Sequence, residues 1–327
     1  MLSRSSVLLR RVFTPRLPPM RCFASVGVSP SVAVGNTSEG LATTILGRIP
    51  TVPLIGLSPF PSASSSGQTL LTPEQVESFR RDGYLLLKDL IGPKCKAKLS
   101  EWTDEIERWE ETKGMWMQYF EAVNGIRTLS RVENFLPYHS ELNGMIQRRV
   151  AKAISELYGE EAVVFKEKLN FKLPGGAGFL PHQDASAYLT FGQKSPHITA
   201  MVCADASTKA NGCLEVAAGF HKKGLLPQKK EDNSIEDEVA SRLPWEFLET
   251  EAGDVFLFDS FVPHRSAQNM SDKKRRLYFI TFNPKSEGEI RGRYYDHLRE
   301  AFPPELERKQ GTDLSEAKRN FCGRNFL

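Results

Sequence analysis

The segment PHQDASAY at residues 181–188 holds a histidine and an aspartate two positions apart, and VPHRSAQN at residues 262–269 supplies a second histidine. In a β-strand, side chains at positions i and i+2 point to the same face of the sheet. We therefore predict that His182 and Asp184 lie on one strand and that His264 reaches them from a distant strand. Two imidazoles and one carboxylate that leave the opposite coordination face open suit a non-haem iron(II) ion, although the same side chains also bind zinc.

An arginine follows the second histidine at a distance that suits a cosubstrate site. Arg275 opens the run RRLYFITFN at residues 275–283, whose β-branched and aromatic content predicts a buried strand. A guanidinium on this strand could bind a dicarboxylate cosubstrate bidentately, and a zinc hydrolase would not need it. We assign this position to Arg275, and Arg276 takes it if the strand begins one residue later.

The second half of the chain has the pattern of a β-protein, with short apolar stretches separated by Gly, Pro and Asn. We predict strands near residues 164–172, 178–189, 197–204, 212–217, 254–258 and 275–283. Apolar residues at helical spacing predict helices at 93–113 and 139–158, and Thr72 followed by Pro73 begins an earlier one. The predicted fold class is mainly β with flanking helices, a double-stranded β-helix barrel of the jelly-roll, cupin-like type.

Several segments together resemble the phytanoyl-CoA dioxygenase family of Fe(II)/2-oxoglutarate oxygenases. They are TPEQVESFRRDGYLLLKDL at 72–90, HQD at 182–184, NGCLEVAAGFH at 211–221 and FDSFVPHRSAQN at 258–269, followed by Arg275. The resemblance extends from about residue 70 to about residue 285. One departure is AGFH at 218–221, where the family usually has Pro-Gly-Ser-His, and this turn lies apart from the metal-ligand motif.

The resemblance implies a reaction and a set of roles. Iron(II) would be held by His182, Asp184 and His264, which are then the catalytic residues as well as the metal ligands. 2-Oxoglutarate would bind as cosubstrate with its far carboxylate on Arg275 and Ser266. O2 would be the oxidant, ascorbate an accessory reductant, and a C–H bond of the substrate would be hydroxylated.

Polar residues before the HQD motif predict an anionic substrate. KEKLNFKLPGG at 166–176 places Lys168 and Asn170 on one face of a strand, and the preceding RTLSRVENF at 127–135 adds Arg131 and Asn134. If this face lines the mouth of the barrel, these groups would donate hydrogen bonds to a phosphonate or a carboxylate. The alternative is that the lysines form a solvated strand edge.

The same segment resembles the family's subgroup that hydroxylates 2-aminoethylphosphonate and its trimethyl analogue beside the phosphonate carbon. In that case the ring of Tyr188 or Tyr119 would contact the substrate ammonium by a cation–π interaction. Two other functions stay open at this point. One is 2-hydroxylation of an acyl-CoA of the phytanoyl-CoA kind, and the other is a barrel that binds 2-oxoglutarate without turnover.

The chain divides into four parts by composition. Residues 1–38 contain five arginines and no acidic residue, which is typical of a mitochondrial transit peptide, with a cytoplasmic protein as the alternative. Residues 39–69 include a Pro/Ser/Gly-rich linker. We predict the Fe(II)/2-oxoglutarate dioxygenase domain at 70–290 and a C-terminal helix or tail at 291–327.

Charge and cysteine usage exclude several classes of function. The formal net charge of +3 becomes −2 without the five leader arginines, so the basic pI gives no support for nucleic-acid binding. The sequence contains no stretch of eighteen or more apolar residues, so it predicts no membrane span. Five cysteines without a CxxC pair argue against a disulfide framework or a zinc ribbon. The expected partner is a small-molecule substrate, and the sequence does not predict an oligomeric state.

Overall fold

The computed structural model describes residues 69–312 and residue 327, and its strands form two antiparallel sheets. The strands are β1 (Tyr84–Leu87), β2 (Met117–Val123), β3 (Ile126–Glu133), β4 (Ala162–Lys172), β5 (Phe179–His182), β6 (Ile198–Cys203), β7 (Leu214–Val216), β8 (Glu246–Leu248), β9 (Val255–Asp259), β10 (His264–Ser266) and β11 (Arg275–Pro284). The larger sheet has the order β1-β9-β6-β11-β4-β3-β2, and the smaller sheet has the order β5-β10-β7-β8.

An apolar cluster joins the two sheets. Phe256, Phe258 and Leu277 of the larger sheet share it with Leu214 and Val216 of the smaller sheet, and all five are buried. Inward-facing residues of two sheets that share one core are the signature of a β-sandwich or jelly-roll. The predicted fold class, mainly β with flanking helices, is confirmed.

Helices occur between the strands of both sheets. They are α1 (Pro73–Asp82), α2 (Gly92–Glu107), α3 (Ser140–Met145), α4 (Lys152–Tyr158), α5 (Ala185–Tyr188), α6 (Asp237–Ala240) and α7 (Arg291–Ala301), with a π-helical segment, Ile146–Ala151, between α3 and α4. Short 3-10 segments occur at Leu136–Tyr138, Leu189–Phe191, Phe220–Lys223, Lys285–Glu287 and Glu305–Glu307. Trp102 and Ile106 of α2 and Ile154 of α4 pack in one cluster with Leu169 and Ile280 of the sheet. This second core covers the sheet face that lies away from the smaller sheet.

Helix α1 begins and ends as its sequence predicts. Thr72 Oγ1 accepts a hydrogen bond from the Gln75 backbone N–H at 3.3 Å, and Gln75 Oε1 accepts one from the Thr72 N–H at 2.8 Å. These two bonds form a capping box. The helix ends at Gly83, whose φ of 84° favours glycine. A β-carbon there would lie 2.4 Å from Nδ1 of His221, so close packing also requires glycine.

Three element predictions need correction. The strand predicted near 178–189 is wrong beyond His182, because the chain turns there and enters α5. The helix predicted at 93–113 ends at Glu107. The hairpin of β2 and β3 was not predicted, although Asn124 and Gly125, with φ of 51° and 79°, form the two-residue Asn-Gly turn that typically joins such strands.

The predicted leader at 1–38 and the linker at 39–69 lie outside the described residues, apart from Thr69. In the C-terminal part predicted at 291–327, α7 occupies Arg291–Ala301, and residues 313–326 lie outside the described residues. Within the described ranges, no helix combines the length and the apolar character needed to cross a membrane.

Candidate active site

Three buried side chains converge where the smaller sheet ends. His182 is the last residue of β5 and pairs directly with His264, the first residue of β10. Each of His182, Asp184 and His264 offers one ligand atom, and these atoms lie within 4.8 Å of one another. The expectation that Asp184 lies on the strand of His182 is wrong. Its backbone is helical, with φ −59° and ψ −29°, because it opens α5, and the turn brings its carboxylate back toward the histidines.

Hydrogen bonds fix how the two imidazoles face the site. Nδ1 of His182 lies 2.7 Å from the Leu180 carbonyl oxygen, and Nδ1 of His264 lies 3.0 Å from that of Val262. A carbonyl can only accept, so each Nδ1 carries the hydrogen and each Nε2 keeps its lone pair for a metal.

The charge states also fit a metal site. Burial lowers the pKa of His182, and it lowers the pKa of His264 to about 3, so both rings are neutral near pH 7. Burial alone would raise the pKa of Asp184, but Lys168 and His264 outweigh it, and that pKa is lowered. Two neutral imidazoles and one carboxylate are therefore present together, which is the donor set that iron(II) oxygenases use.

Gln183, between the two ligands, is a residue that the sequence analysis missed. Its side chain is fully buried, and its Nε2 donates to the carbonyls of Gly224 at 2.9 Å and Phe261 at 2.6 Å. Its Oε1 accepts from the N–H of Leu226 at 2.8 Å. One amide thus ties the ligand-bearing turn to two other loops. The sequence signal was available as the middle letter of HQD, but the pattern treats that position as a spacer.

A pocket opens beside the histidines and unites most of the predicted site. Its lining residues are Lys168, Asn170, Phe179, His182, Leu214, His264, Ser266, Arg275 and Phe279. Two of the metal-ligand candidates, both cosubstrate candidates and two of the substrate candidates therefore share one cavity.

The structure settles which of the two neighbouring arginines faces the pocket. Arg275 lines it, is buried, and donates from Nη1 to the Gly212 carbonyl at 2.6 Å. Arg276 points to the opposite face, as alternation along a strand requires. There it forms ion pairs with Asp205 at 2.8 Å, with Glu107 at 3.1 Å and with Asp104.

Lys172, which shares a strand face with Lys168 and Asn170, lies directly opposite Arg275 across β4 and β11. Lys172 is buried and donates from Nζ to Ser266 Oγ at 2.8 Å and to the Ala267 carbonyl at 2.6 Å. Because Lys172 takes this hydroxyl as an acceptor, the Ser266 hydrogen is free to point elsewhere. Ser266, Lys172 and Arg275 form a polar end to the cavity.

The cavity wall next to Arg275 includes Lys168 and Asn170 of β4, which pair with residues of β3. Asn170 lies opposite Arg131, and Lys168 lies opposite Glu133. Arg131 donates from Nε to Asn170 Oδ1 at 3.0 Å and from Nη1 to Glu133 Oε1 at 3.2 Å. Lys168 Nζ lies 5.3 Å from the Phe279 ring centroid and has no ion pair with any described residue.

Asn134, predicted as a substrate residue, is not among the pocket residues. Its Nδ2 donates to the Met115 carbonyl at 3.0 Å, and its Oδ1 accepts from Arg291 Nη2 at 2.8 Å. Strand β3 ends at Glu133, and Asn134 takes a left-handed conformation with φ 58°. This turn directs the side chain away from the face that Arg131 shares, so the substrate role predicted for Asn134 is wrong.

The tyrosine rings predicted to meet an ammonium group are already engaged. Tyr188 stacks on His197 at 5.5 Å between ring centroids, and Lys166 Nζ lies 4.6 Å from the Tyr188 centroid. The alternative, Tyr119, is buried and donates its hydroxyl hydrogen to the Phe302 carbonyl at 2.8 Å. A protein cation already holds the position over Tyr188 that the substrate cation was expected to take, so that prediction is corrected.

Solved structures share this fold. The structure of EctD from S. alaskensis with 2-oxoglutarate and 5-hydroxyectoine has a TM-score of 0.57 and 19% sequence identity, and the match covers 70% of this chain and 82% of EctD. AviO1 from Streptomyces viridochromogenes has a TM-score of 0.53 and 22% identity, and the match covers 66% of this chain and 96% of AviO1. At these identities the likeness concerns the fold, and it agrees with the jelly-roll architecture.

Relatives with higher identity exist among characterised enzymes. A 2-aminoethylphosphonate dioxygenase from an uncultured bacterium is 47% identical over 250 residues, which are 76% of this chain and 95% of the relative. A methylphosphonate hydroxylase from Gimesia maris is 35% identical over 236 residues, which are 72% of this chain and 89% of the relative.

These relatives correct the predicted localisation. Both come from bacteria, which have no mitochondria, so the comparison contradicts the mitochondrial localisation predicted from residues 1–38 and does not support a transit peptide. Arginine and serine without acidic residues are a composition rather than a specific motif, and composition alone is a weak targeting signal. The cytoplasmic alternative is the one consistent with these relatives.

The family comparison agrees with the geometry of the site. The model of the phytanoyl-CoA dioxygenase (PhyH) family matches residues 79–277, a range that contains the three convergent ligands and Arg275. Together with the identity to dioxygenases over most of their length, this match defines the reaction class. The chain belongs to the phytanoyl-CoA dioxygenase family and is an iron(II)- and 2-oxoglutarate-dependent dioxygenase.

Proposed function

We propose that this dioxygenase hydroxylates a small phosphonate at the carbon bonded to phosphorus, with 2-ammonioethylphosphonate as the leading candidate. The observation that carries the proposal is the position of Lys168 and Asn170, which line the pocket together with His182 and His264, and Lys168 has no ion pair with a described residue. The two relatives named for phosphonate oxidation support the same substrate class.

His182, Asp184 and His264 hold the iron in this proposal, because their ligand atoms converge and their protonation states suit a metal. Bound iron, together with 2-oxoglutarate and O2, supplies the oxidising power for C–H hydroxylation. The protein fixes the ligands through the two Nδ1 hydrogen bonds and leaves part of the coordination sphere open for the cosubstrate.

Arg275 binds the far carboxylate of 2-oxoglutarate, with Ser266 as a second donor. A guanidinium presents parallel N–H groups that match a carboxylate, and burial strengthens such a contact. Arg275 lies on the same cavity as His264, so a molecule that reaches from the metal to Arg275 stays within one pocket. Lys172 adds positive charge at this end through its contact with Ser266.

The phosphonate binds to Lys168 and Asn170 on β4, the strand that pairs with β11. Arg131 already donates to Oδ1 of Asn170, which fixes the amide so that its Nδ2 is the group left to donate to a ligand. Lys168 contributes the charge, and Arg131 acts by positioning Asn170. A phosphonate held here places its α-carbon, rather than the distal amino group, next to the metal ligands.

An acyl-CoA is the competing substrate. An aliphatic chain against Lys168 and Asn170 would displace water from the half-buried ammonium and from the buried amide N–H without replacing the hydrogen bonds, and each such loss costs about 1–3 kcal/mol. A small anion instead satisfies both groups, and the pocket wall therefore favours the phosphonate.

The test is a side-by-side assay of the full chain with iron(II), 2-oxoglutarate, ascorbate and O2. 2-Aminoethylphosphonate, methylphosphonate and a branched acyl-CoA are offered separately, and product mass and succinate are measured. We expect at least one phosphonate to gain a single oxygen atom with one succinate per product. Oxidation of the acyl-CoA while both phosphonates stay unchanged would overturn the proposal.

A further inference from the structure

Glu133 is a buried carboxylate with one oxygen unused. Only 2% of the residue is exposed, and Arg131 engages Oε1 alone. Oε2 has no hydrogen-bond partner among the described residues. Buried carboxylate oxygens normally accept a hydrogen bond, because a buried acceptor without one costs more free energy than an ordinary hydrogen bond contributes. An oxygen left this way is an acceptor that a ligand can use.

The position of Glu133 puts this oxygen beside the pocket. Glu133 pairs directly with Lys168 across β3 and β4, and directly opposed residues of an antiparallel pair share a sheet face. Lys168 lines the pocket. Through Arg131, Glu133 is also linked to Asn170, a second lining residue.

We propose that Glu133 receives the ammonium group of the substrate and so selects aminophosphonates over phosphonates without an amine. This inference rests on the proposed function and extends it from the phosphonate end of the substrate to the amino end. An ammonium group carries three donors and no acceptor, so it needs an oxygen of the kind that Glu133 offers. The hydrogen bond would be charge-assisted, which makes it about twice as strong as a neutral one.

Other acceptors on this face are committed. Asp184 is one of the converged metal ligands, and the ring of Tyr188 is contacted by Lys166 and His197. Among the described residues, Oε2 of Glu133 is a buried carboxylate oxygen without a hydrogen-bond partner, so it can meet a cation without displacing a protein group.

The surrounding charges make the site selective for a molecule that carries both signs. Lys166 and Lys168 lie on the same face of β4, and neither has an ion pair with a described residue. A lone amine would be repelled by these lysines. A phosphonate that binds them first balances their charge, so its own ammonium group can then approach Glu133. Recognition therefore requires the phosphonate and the amine in one molecule.

The experiment compares two phosphonates that differ in the amine. 2-Aminoethylphosphonate and ethylphosphonate are titrated by calorimetry into the full chain loaded with iron(II) and 2-oxoglutarate without O2, using the wild type and Glu133→Gln. The ratio of the two dissociation constants measures selectivity, and it does not depend on the active fraction of a preparation. We expect selectivity for the amine to fall about tenfold to a hundredfold in the variant. Ethylphosphonate affinity should change by less than about threefold.

Two further variants keep the result interpretable. Glu133→Asp retains the charge on a shorter arm and should keep part of the selectivity, which provides a second measurement if Glu133→Gln does not fold. Glu167→Gln is the matched control, because Glu167 is a buried carboxylate on the same strand as Lys168 that faces the other way and pairs with Arg291. It should leave the selectivity unchanged.

Unchanged selectivity in Glu133→Gln, or equal weakening of both phosphonates, would overturn the role of Glu133. Failure of the proposed function has a different signature, since wild-type enzyme would then bind neither phosphonate. The two hypotheses can therefore fail separately.

Discussion

Arg275 and Arg276 are adjacent on β11 and equally buried, yet they lie in opposite electrostatic surroundings. Arg276 faces α2 and has ion pairs with Asp104, Glu107 and Asp205. Arg275 faces the cavity, where its hydrogen bond goes to the neutral carbonyl of Gly212. The protein therefore pairs Arg276 with its own carboxylates and places Arg275 in the lining of the cavity, within reach of a bound carboxylate.

The same division appears on β4. Glu167, on the outward face, pairs with Arg291 and also accepts a hydrogen bond from the Leu136 N–H. Lys168, one residue later and on the pocket face, has no ion pair with a described residue. Lys168 and Arg275 both line the cavity, and positive charges gathered around one pocket favour anionic ligands. The comparison separates structural charges from functional ones without reference to any relative.

The largest expected effect comes from removing a metal ligand. His182→Ala or Asp184→Ala should abolish hydroxylation coupled to succinate release and weaken iron(II) binding by more than about a hundredfold. Replacing a residue that only orients a metal ligand already lowers metal affinity by about tenfold to a hundredfold. Metal titration and product analysis measure both effects. The ion pairs of Arg276 are remote from this change and should keep the variants folded. Near-normal iron affinity and product formation in both variants would contradict the assigned ligand set.

The two arginines give the next largest contrast. Arg275→Leu should raise the 2-oxoglutarate concentration needed for half-maximal rate by about a hundredfold, since a buried charge-assisted contact contributes about 1.5–3 kcal/mol. Arg276→Leu should leave that requirement unchanged and should destabilise the fold by about 1–3 kcal/mol, less than a fully buried pair because its partners are partly exposed. The opposite outcome, with the 2-oxoglutarate requirement raised by Arg276→Leu alone, would reverse the assignment.

Changes at Lys168 and Asn170 of β4 should affect substrate binding and spare cosubstrate binding. Lys168→Met keeps the apolar stem and removes the charge, and we expect the KM for the phosphonate to rise about tenfold to a hundredfold. Asn170→Ala should raise it about tenfold, through loss of one donor. The KM for 2-oxoglutarate should change by less than about threefold in both variants. A larger effect on the KM for 2-oxoglutarate than on the KM for the phosphonate would show that Lys168 and Asn170 bind the cosubstrate instead of the substrate.

The sequence predicts the features that depend on local pattern and fails on those that depend on a turn. Long apolar runs predicted β4 and β11, and alternation along β11 correctly placed the two arginines on opposite faces. The convergence of His182 with Asp184 was predicted for the wrong reason, since a helical turn after the strand achieves what an i, i+2 pair on a strand would achieve.

Tertiary contacts explain the other failures. Asn134 has the same residue type as Asn170, but a left-handed backbone directs it toward Arg291 instead of the pocket. The ring of Tyr188 has the chemistry for a cation, but Lys166, a residue distant in sequence, occupies that position. Neither contact leaves a periodic signal, because both partners are chosen by the packing of separate elements.

The smallest expected effect tests how the turn between His182 and Asp184 is held in place. Gln183→Leu keeps the volume of the side chain and removes all three amide hydrogen bonds to Gly224, Phe261 and Leu226. Since these bonds position the turn between two ligands, we expect iron(II) affinity to fall about tenfold and more succinate to form without product. Gln118→Leu is the matched control, because Gln118 on β2 is also buried and donates a hydrogen bond to the Trp109 carbonyl. If both variants lose equal thermal stability and only Gln183→Leu loses iron affinity, the Gln183 amide acts on the metal site. If the two variants have equal iron affinities, the Gln183 amide stabilises the fold alone.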